Sequence, residues 1–521
     1  MEPRGLGGFV AAALVVLVSA LVIDVSGNLV FPVSHKFNGR DGASLSELKA
    51  HDHRRHARFL GAATQNAIDI TLGGSGNPTG NGLYYAKLGI GNPSHDYYVQ
   101  VDTGSDLLWV SCAECGKGCP DHSAIDGVKL TLYDRNSSST SKVVTCGDNF
   151  CTSIHKKQNE SQVSNCKPDE KCTYHIEYGD GSTTTGYYVK DDVQFQKATG
   201  NLQTSSTSGS VILGTTPDCG MYTYRCGIKQ SGLLNNPHTA VSGLIGFGQG
   251  NASMLSQLVA AGKVRNKFAH CLDNTKKGGG IWAIGEVVEP KMKYTSPIVP
   301  NQVHYNVVLE KMEVGSDVIK LPTSGGGVFD KIFGSSSTSD QTMAIFDSGT
   351  TLTYLPPELQ EQMVKKILSA EPGLKLKKID DSEFTCFEYS KNIDEKFPIV
   401  KFSFKNSASL WVYPHDYLFN LKEDHWCHGW MPSKPGSKTG ILLGDMILSN
   451  KVVVYDLEKQ VLGWADHNCS SSIKVKDDQS GSDYSVQYHN LASDASSQRL
   501  PMSFVLLATA AATAMLHMTS I

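Results

Sequence analysis

The sequence predicts a mainly β protein made of two similar lobes that face each other across a cleft. Three observations carry that expectation. Fifty glycines among 521 residues, with abundant Ser and Thr and few helical periodicities, indicate strands joined by turns. Short apolar runs (Leu83 to Leu88, Tyr97 to Val101, Leu107 to Ser111) alternate with Gly-Asn-Pro and Thr-Gly-Ser turns. The third is a duplication. Val101-Asp102-Thr103-Gly104-Ser105 and Phe346-Asp347-Ser348-Gly349-Thr350 each place an Asp after a buried-strand pattern, then turn on a Gly flanked by hydroxyls.

A single Asp-Gly turn after a strand is an ordinary turn. Here two copies occur, each followed by a second apolar run, Leu107 to Val110 and Leu352 to Leu355. A further pair matches them: Val241-Ser-Gly-Leu-Ile-Gly246 and Gly440-Ile-Leu-Leu-Gly444. In both, two apolar residues precede a Gly, as where one backbone must approach another closely. Met254 to Gly262 and Pro356 to Leu368 carry helical periodicity. The plan puts Asp102 and Asp347 at the junction of the lobes, where they would share a proton and activate a water.

In chain order, residues 1–27 read as a signal peptide, with Arg4, an apolar run from Phe9 to Ile23 and small residues at Val25-Ser26-Gly27. Residues 28–81 read as a propeptide and linker. Its Ser44-to-Leu60 stretch is basic, and either lies against an acidic site or presents a solvated helix face. Residues 82–290 form the N-terminal lobe and 291–469 the C-terminal lobe. Residues 470–500 are polar, without core-forming periodicity, and are expected to be a stalk. Residues 501–521 form the tail, whose apolar run from Met502 to Leu516 is followed by no Lys or Arg in its last five residues. Small residues near Ser493, a polar spacer and that tail fit a GPI-attachment signal, with Ser493 as the attachment residue and a single-pass helix as the rival.

Secretion makes the thirteen cysteines candidates for disulfides. Cys112-x2-Cys115-x3-Cys119 resembles a zinc spacing, but cross-linked loops are expected there and no metal. Sequons stand at Asn136, Asn159, Asn251 and Asn468. Tyr174 to Asp192 is a hairpin with a Gly-Asp-Gly tip, either a plain surface hairpin or a flap closing over the cleft, with Tyr178 and Gly179 at its working end. The net charge of −4 gives no reason to expect nucleic acid. No Gly-x-Ser-x-Gly elbow supports a serine hydrolase.

Asp102-Thr-Gly-Ser, Asp347-Ser-Gly-Thr, the Tyr178 hairpin, Trp109 and the two apolar-apolar-Gly strands together resemble the pepsin-like aspartic proteases. The Cys-rich stretch after Trp109, Phe268-Ala-His-Cys271-Leu and Ala465-Asp-His-Asn-Cys469 resemble the plant, nepenthesin-like branch. Pro300-to-Tyr305 and Tyr413-Pro-His-Asp-Tyr417 resemble its GPI-anchored members. The resemblance spans Tyr84 to Cys469 and implies a bilobal pepsin-like fold of two β-barrel-like lobes with the active-site cleft between them. It implies peptide-bond hydrolysis at acidic pH by Asp102 and Asp347. Ser105 and Thr350 would orient the carboxylates, and Trp109 would hydrogen-bond Tyr178. By the same analogy Cys386 pairs with Cys427, and Cys271 with Cys469.

Two departures stand out. Thr215 to Arg225 separates Val211-Ile-Leu-Gly214 from Cys226-Gly227 and brings in Cys219, the cysteine expected to stay unpaired. Ser242 stands where the family usually has Asp. The expected protein is a monomeric acid endopeptidase that acts on polypeptides without a cofactor, tethered by GPI to the extracellular face of the plasma membrane. The alternative is a catalytically silent relative serving as a binding or inhibitor module, as in xylanase-inhibitor-like members of this fold. Such relatives typically lose parts of the motif, all of which are present here.

Overall fold

The computed structural model describes residues 29–35, 84–113, 130–157, 166–177, 183–215, 241–275, 278–321, 341–378, 384–422, 424–433, 440–477 and 481–489. Within them the chain is mainly β, and its helices are short. Met254–Ala260 and Pro357–Leu368 form on the two helical periodicities. Ser253 caps the first by accepting from the Ser256 amide at 3.1 Å. The second begins at Pro357, whose fixed φ suits a first helical position, and buries Leu359, Met363 and Ile367 at four-residue spacing.

The duplication is visible strand by strand. His95–Asp102 runs parallel to Gly243–Gly246, which pairs antiparallel with Trp109–Val110, which runs parallel to Gln203–Thr215. In the second half Thr342–Phe346 runs parallel to Ile441–Leu443, which pairs antiparallel with Thr353–Leu355, which runs parallel to Trp430–Pro432. Order and sense agree at every step. In each half a strand ending at Gly, or one residue before it, therefore lies between the two strands that flank an Asp turn.

The halves are joined beneath those turns. Lys267–Leu272 of the first half pairs antiparallel with Lys451–Asp456 of the second, inside one 14-stranded sheet. Aromatic rings pack along this seam. Phe268 stacks on Tyr455 with centroids 4.4 Å apart, and Phe247 packs on Trp282 at 4.8 Å. The Tyr305 hydroxyl donates to the Phe247 carbonyl at 2.7 Å, and the Cys271–Cys469 disulfide closes the same region.

Both tails contribute more than their composition suggests. Leu29–His35, inside the segment read as propeptide and linker, pairs with Gly280–Ile284 on one side and Tyr84–Ile90 on the other. The apolar Leu-Val-Phe-Pro-Val run has the length and composition of a strand. At the other end, residues 470–500 do not begin as a solvated stalk. Ile473–Lys476 and Asp483–Val486 form a hairpin on Glu286–Glu289, with Ile473, Val475 and Val486 buried. The Ile-Lys-Val-Lys alternation supplies one apolar face, which the surrounding Ser and Asp conceal in composition. The chain stays docked as far as His489, which bridges to Gly280. No helix among the described residues is long and apolar enough to cross a membrane.

Candidate active site

Asp102 and Asp347 are buried and similarly held. Asp102 ends its strand opposite Gly246, and Phe346 lies opposite Leu443. Gly104 N donates to Asp102 Oδ1 at 2.9 Å, and Gly349 N to Asp347 Oδ1 at 2.8 Å. The Ser105 hydroxyl donates to Asp102 Oδ2, and the Thr350 hydroxyl to Asp347 Oδ2 at 2.7 Å. Each carboxylate thus has one oxygen fixed by backbone and the other by a hydroxyl.

The turns also hold each other. Thr103 N donates to Ser348 Oγ at 3.2 Å, and Ser348 N donates to Thr103 Oγ1 at 3.0 Å. Thr103 Oγ1 in turn donates to the Phe346 carbonyl at 3.4 Å. These reciprocal bonds bring residues 245 positions apart into one buried unit. The sequence shows a hydroxyl beside each Asp without marking a contact between Thr103 and Ser348. Their signal is the hydroxyl residue between Asp and Gly in both turns.

The apolar-apolar-Gly strands explain how the turns are seated. Phe247 N donates to Asp102 O at 2.6 Å, and Asp445 N to Thr350 O at 2.6 Å. A Cβ on Gly246 would come within 2.5 Å of Ser105 and Asp106 backbone, and one on Gly444 within 2.2 Å of Leu352 O. Only a residue without a side chain fits either place. At the variant position, Ser242 Oγ accepts from Tyr98 N at 3.1 Å.

Trp109 is buried, in register with Gly214. Tyr178 and Gly179 lie outside the described residues. The arms below them pair antiparallel from Thr173 opposite Tyr187 to Glu177 opposite Thr183. Cys386 is bonded to Cys427 and Cys271 to Cys469. In the Cys-rich stretch Cys146 joins Cys166 and Cys151 joins Cys172. Cys115, Cys119, Cys219 and Cys226 lie outside the described residues. Cys151, His155 and Cys172 have ligand-type atoms within 4.8 Å of one another, but both sulfurs belong to the disulfide and are not thiolates.

Asn136, Asn251 and Asn468 are exposed, and Asn159 lies outside the described residues. The side chain of Asn468 accepts from Ser470 N at 3.1 Å. Ser493, the signal segment and the apolar tail are likewise outside.

The chain matches the xylanase inhibitor N-terminal family over residues 84–286 and the xylanase inhibitor C-terminal family over residues 304–466. Aspartic proteinase 36 of Arabidopsis thaliana is 47% identical over 500 residues, covering 95% of each chain. Aspartic proteinase 39 of the same plant is 45% identical, over 92% of this chain and 93% of that one. Among solved structures, conglutin gamma, a basic 7S globulin from lupine seeds, is similar with a TM-score of 0.58 at 17% identity. That match covers 85% of this chain and 95% of that one, and is a likeness of fold alone. The chain belongs to the pepsin-like aspartic proteinase family, in the group whose halves carry the xylanase-inhibitor-type description.

Proposed function

We propose that the protein is an aspartic endopeptidase in which Asp102 and Asp347 share one proton and activate a water against a peptide bond. The observation that carries this reading is the reciprocal bonding of Thr103 and Ser348, which joins two buried and similarly held carboxylates. Like charges about 3 Å apart cannot both ionise, so such a pair holds a proton between them. The ionised member takes a proton from water while the protonated member polarises the scissile carbonyl. Because the pair titrates as a unit, acid and base belong to the pair and not to either residue. Tyr178 and Gly179 would close over the substrate as a flap.

The same reading makes the protein a secreted monomer that acts on polypeptides in acid without a metal or cofactor. A GPI lipid at Ser493 would hold it on the outer cell surface. The test is turnover of an unfolded protein at several acidic pH values, with and without pepstatin. Wild-type activity should be inhibited, and Asp102→Asn or Asp347→Asn should remove it. Activity surviving either substitution would falsify the assignment. Release from the membrane by a phosphatidylinositol-specific phospholipase tests the anchor, and retention would favour a spanning helix.

A second reading is favoured by the xylanase inhibitor description of both halves and by the fold shared with a seed globulin. It is a binding module without catalysis. It predicts no pepstatin-sensitive turnover at any pH.

A further inference from the structure

The segment from Phe247 to Gly250, which follows the strand seated against the Asp102 turn, is bonded to both halves of the molecule. One set of bonds runs to that turn. Phe247 N donates to Asp102 O and Gly248 N to Ser105 O, each at 2.6 Å. Gly250 N donates to Asp106 Oδ1 at 2.7 Å. A Cβ on Gly250 would come within 2.1 Å of Asp106 Oδ2, so the carboxylate lies directly against the segment it binds.

The other set reaches into the second half. Gln249 Nε2 donates to the His304 carbonyl at 2.7 Å and to the Gln302 carbonyl at 3.4 Å. Two carbonyls can only accept, so the Gln249 amide must present its NH2 to them. The Tyr305 hydroxyl donates to the Phe247 carbonyl at 2.7 Å. The Tyr305 carbonyl in turn accepts from Phe346 N at 3.4 Å, one residue before Asp347. The arrangement is one-sided. After Gly444 the second half instead enters the short helix Asp445–Leu448, and Thr351 stands where the first half has Asp106.

We infer that Gln249 is a positioning residue for the Asp102–Asp347 pair. Its amide ties the segment bonded to the Asp102 turn to the segment that leads into Phe346 and Asp347. This rests on the protease reading. The Thr103–Ser348 bonds join the two turns directly, but bonds at one place leave two bodies free to pivot about it. A second tie at a separate place removes that pivot. A small misplacement of reacting groups is paid in rate, not in substrate affinity.

The experiment compares the full-length wild type with Gln249→Leu and Gln249→Glu, reading kcat and KM on an unfolded protein. The pH runs from about 3 to about 6, either side of the ordinary Glu pKa of about 4.3. Gln249→Leu keeps the bulk and loses both bonds, and kcat should fall about five- to tenfold with KM unchanged. Gln249→Glu keeps the shape, but its ionised carboxylate cannot donate, whereas its protonated form carries one O–H donor. It should match Gln249→Leu at the upper end of the range and regain most of the wild-type kcat as pH falls. Asp106 and His304, the titratable groups on the segments bonded to Gln249, are the same in both variants. The ratio of the two kcat values therefore cancels their titration. Hydrogen exchange at the Gly250 and Phe346 amides should speed up in Gln249→Leu by a similar factor. Wild-type kcat and wild-type amide protection in Gln249→Leu would overturn the inference. So would a raised KM at unchanged kcat, which would place Gln249 in substrate binding. A Glu-to-Leu ratio that stays flat with pH would also overturn it, making the side chain a packing group only. If the wild type shows no turnover that Asp102→Asn removes, the protease reading fails, and amide exchange in Gln249→Leu alone decides whether the tie holds.

Discussion

Gly246 and Gly444 occupy positions that exclude a side chain, because the Asp turns press against their backbone. Overpacking of this kind costs about 1–3 kcal/mol, and here it would also displace a carboxylate. Gly444→Ala should therefore lower stability by that amount in denaturant unfolding and reduce turnover more steeply than stability. An alanine variant with wild-type turnover would mean that the close approach is not required. The need for glycine was legible in sequence, since both strands show two apolar residues and then Gly. The bonds between Thr103 and Ser348 were not. Nothing local marks a contact between residues 245 positions apart, and a hydroxyl in a turn has many other uses.

At the scale of elements, period and turn chemistry located the strands around both Asp residues and the two longer helices. They fared worse at the ends of the chain, where composition outweighs pattern. Leu29–His35 and the Ile473–Val486 hairpin gain partners only because sheet edges at Gly280–Ile284 and Glu286–Glu289 are open to them. The Cys271–Cys469 disulfide ties the second of these elements to the seam, closing a loop with a sequence separation of 198. In the chain-entropy account a loop of that length contributes about 2–5 kcal/mol. Replacing both cysteines by Ser should lower stability by an amount in that range, measured by urea unfolding under oxidising conditions. An unchanged midpoint would show that the seam holds without the bond.

For the whole molecule, acid is costly. His270 and His428 are fully buried, and burial lowers them from 6.5 to about 3 and about 4 respectively. Between those values and 6.5 the unfolded chain binds more protons than the fold. The stability tied to the neutral rings is therefore full above pH 6.5 and is lost as pH falls toward the folded values. The slope is up to about 1.4 kcal/mol per pH unit for each ring. His428→Leu should flatten the fall of stability from neutral to mildly acidic pH, read from urea midpoints at successive pH values. A slope equal to wild type would mean that His428 is not neutral in the fold. A protein proposed to work in acid thus sheds stability where it works, and the seam that carries His270 bears part of that loss.

The sequence by itself determined the duplicated plan, the two Asp turns, the glycines that seat them and the β character of both halves. Each of these is written in short-range pattern: strand period, turn residues and a repeated spacing. Only the tertiary structure decided how the halves meet. The Thr103–Ser348 bonds, the strand pairing of Lys267–Leu272 with Lys451–Asp456, the Tyr455–His270 contact and the docking of both tails all join residues far apart in sequence. Such contacts depend on which surfaces the folded chain leaves facing each other, and local pattern carries no record of that.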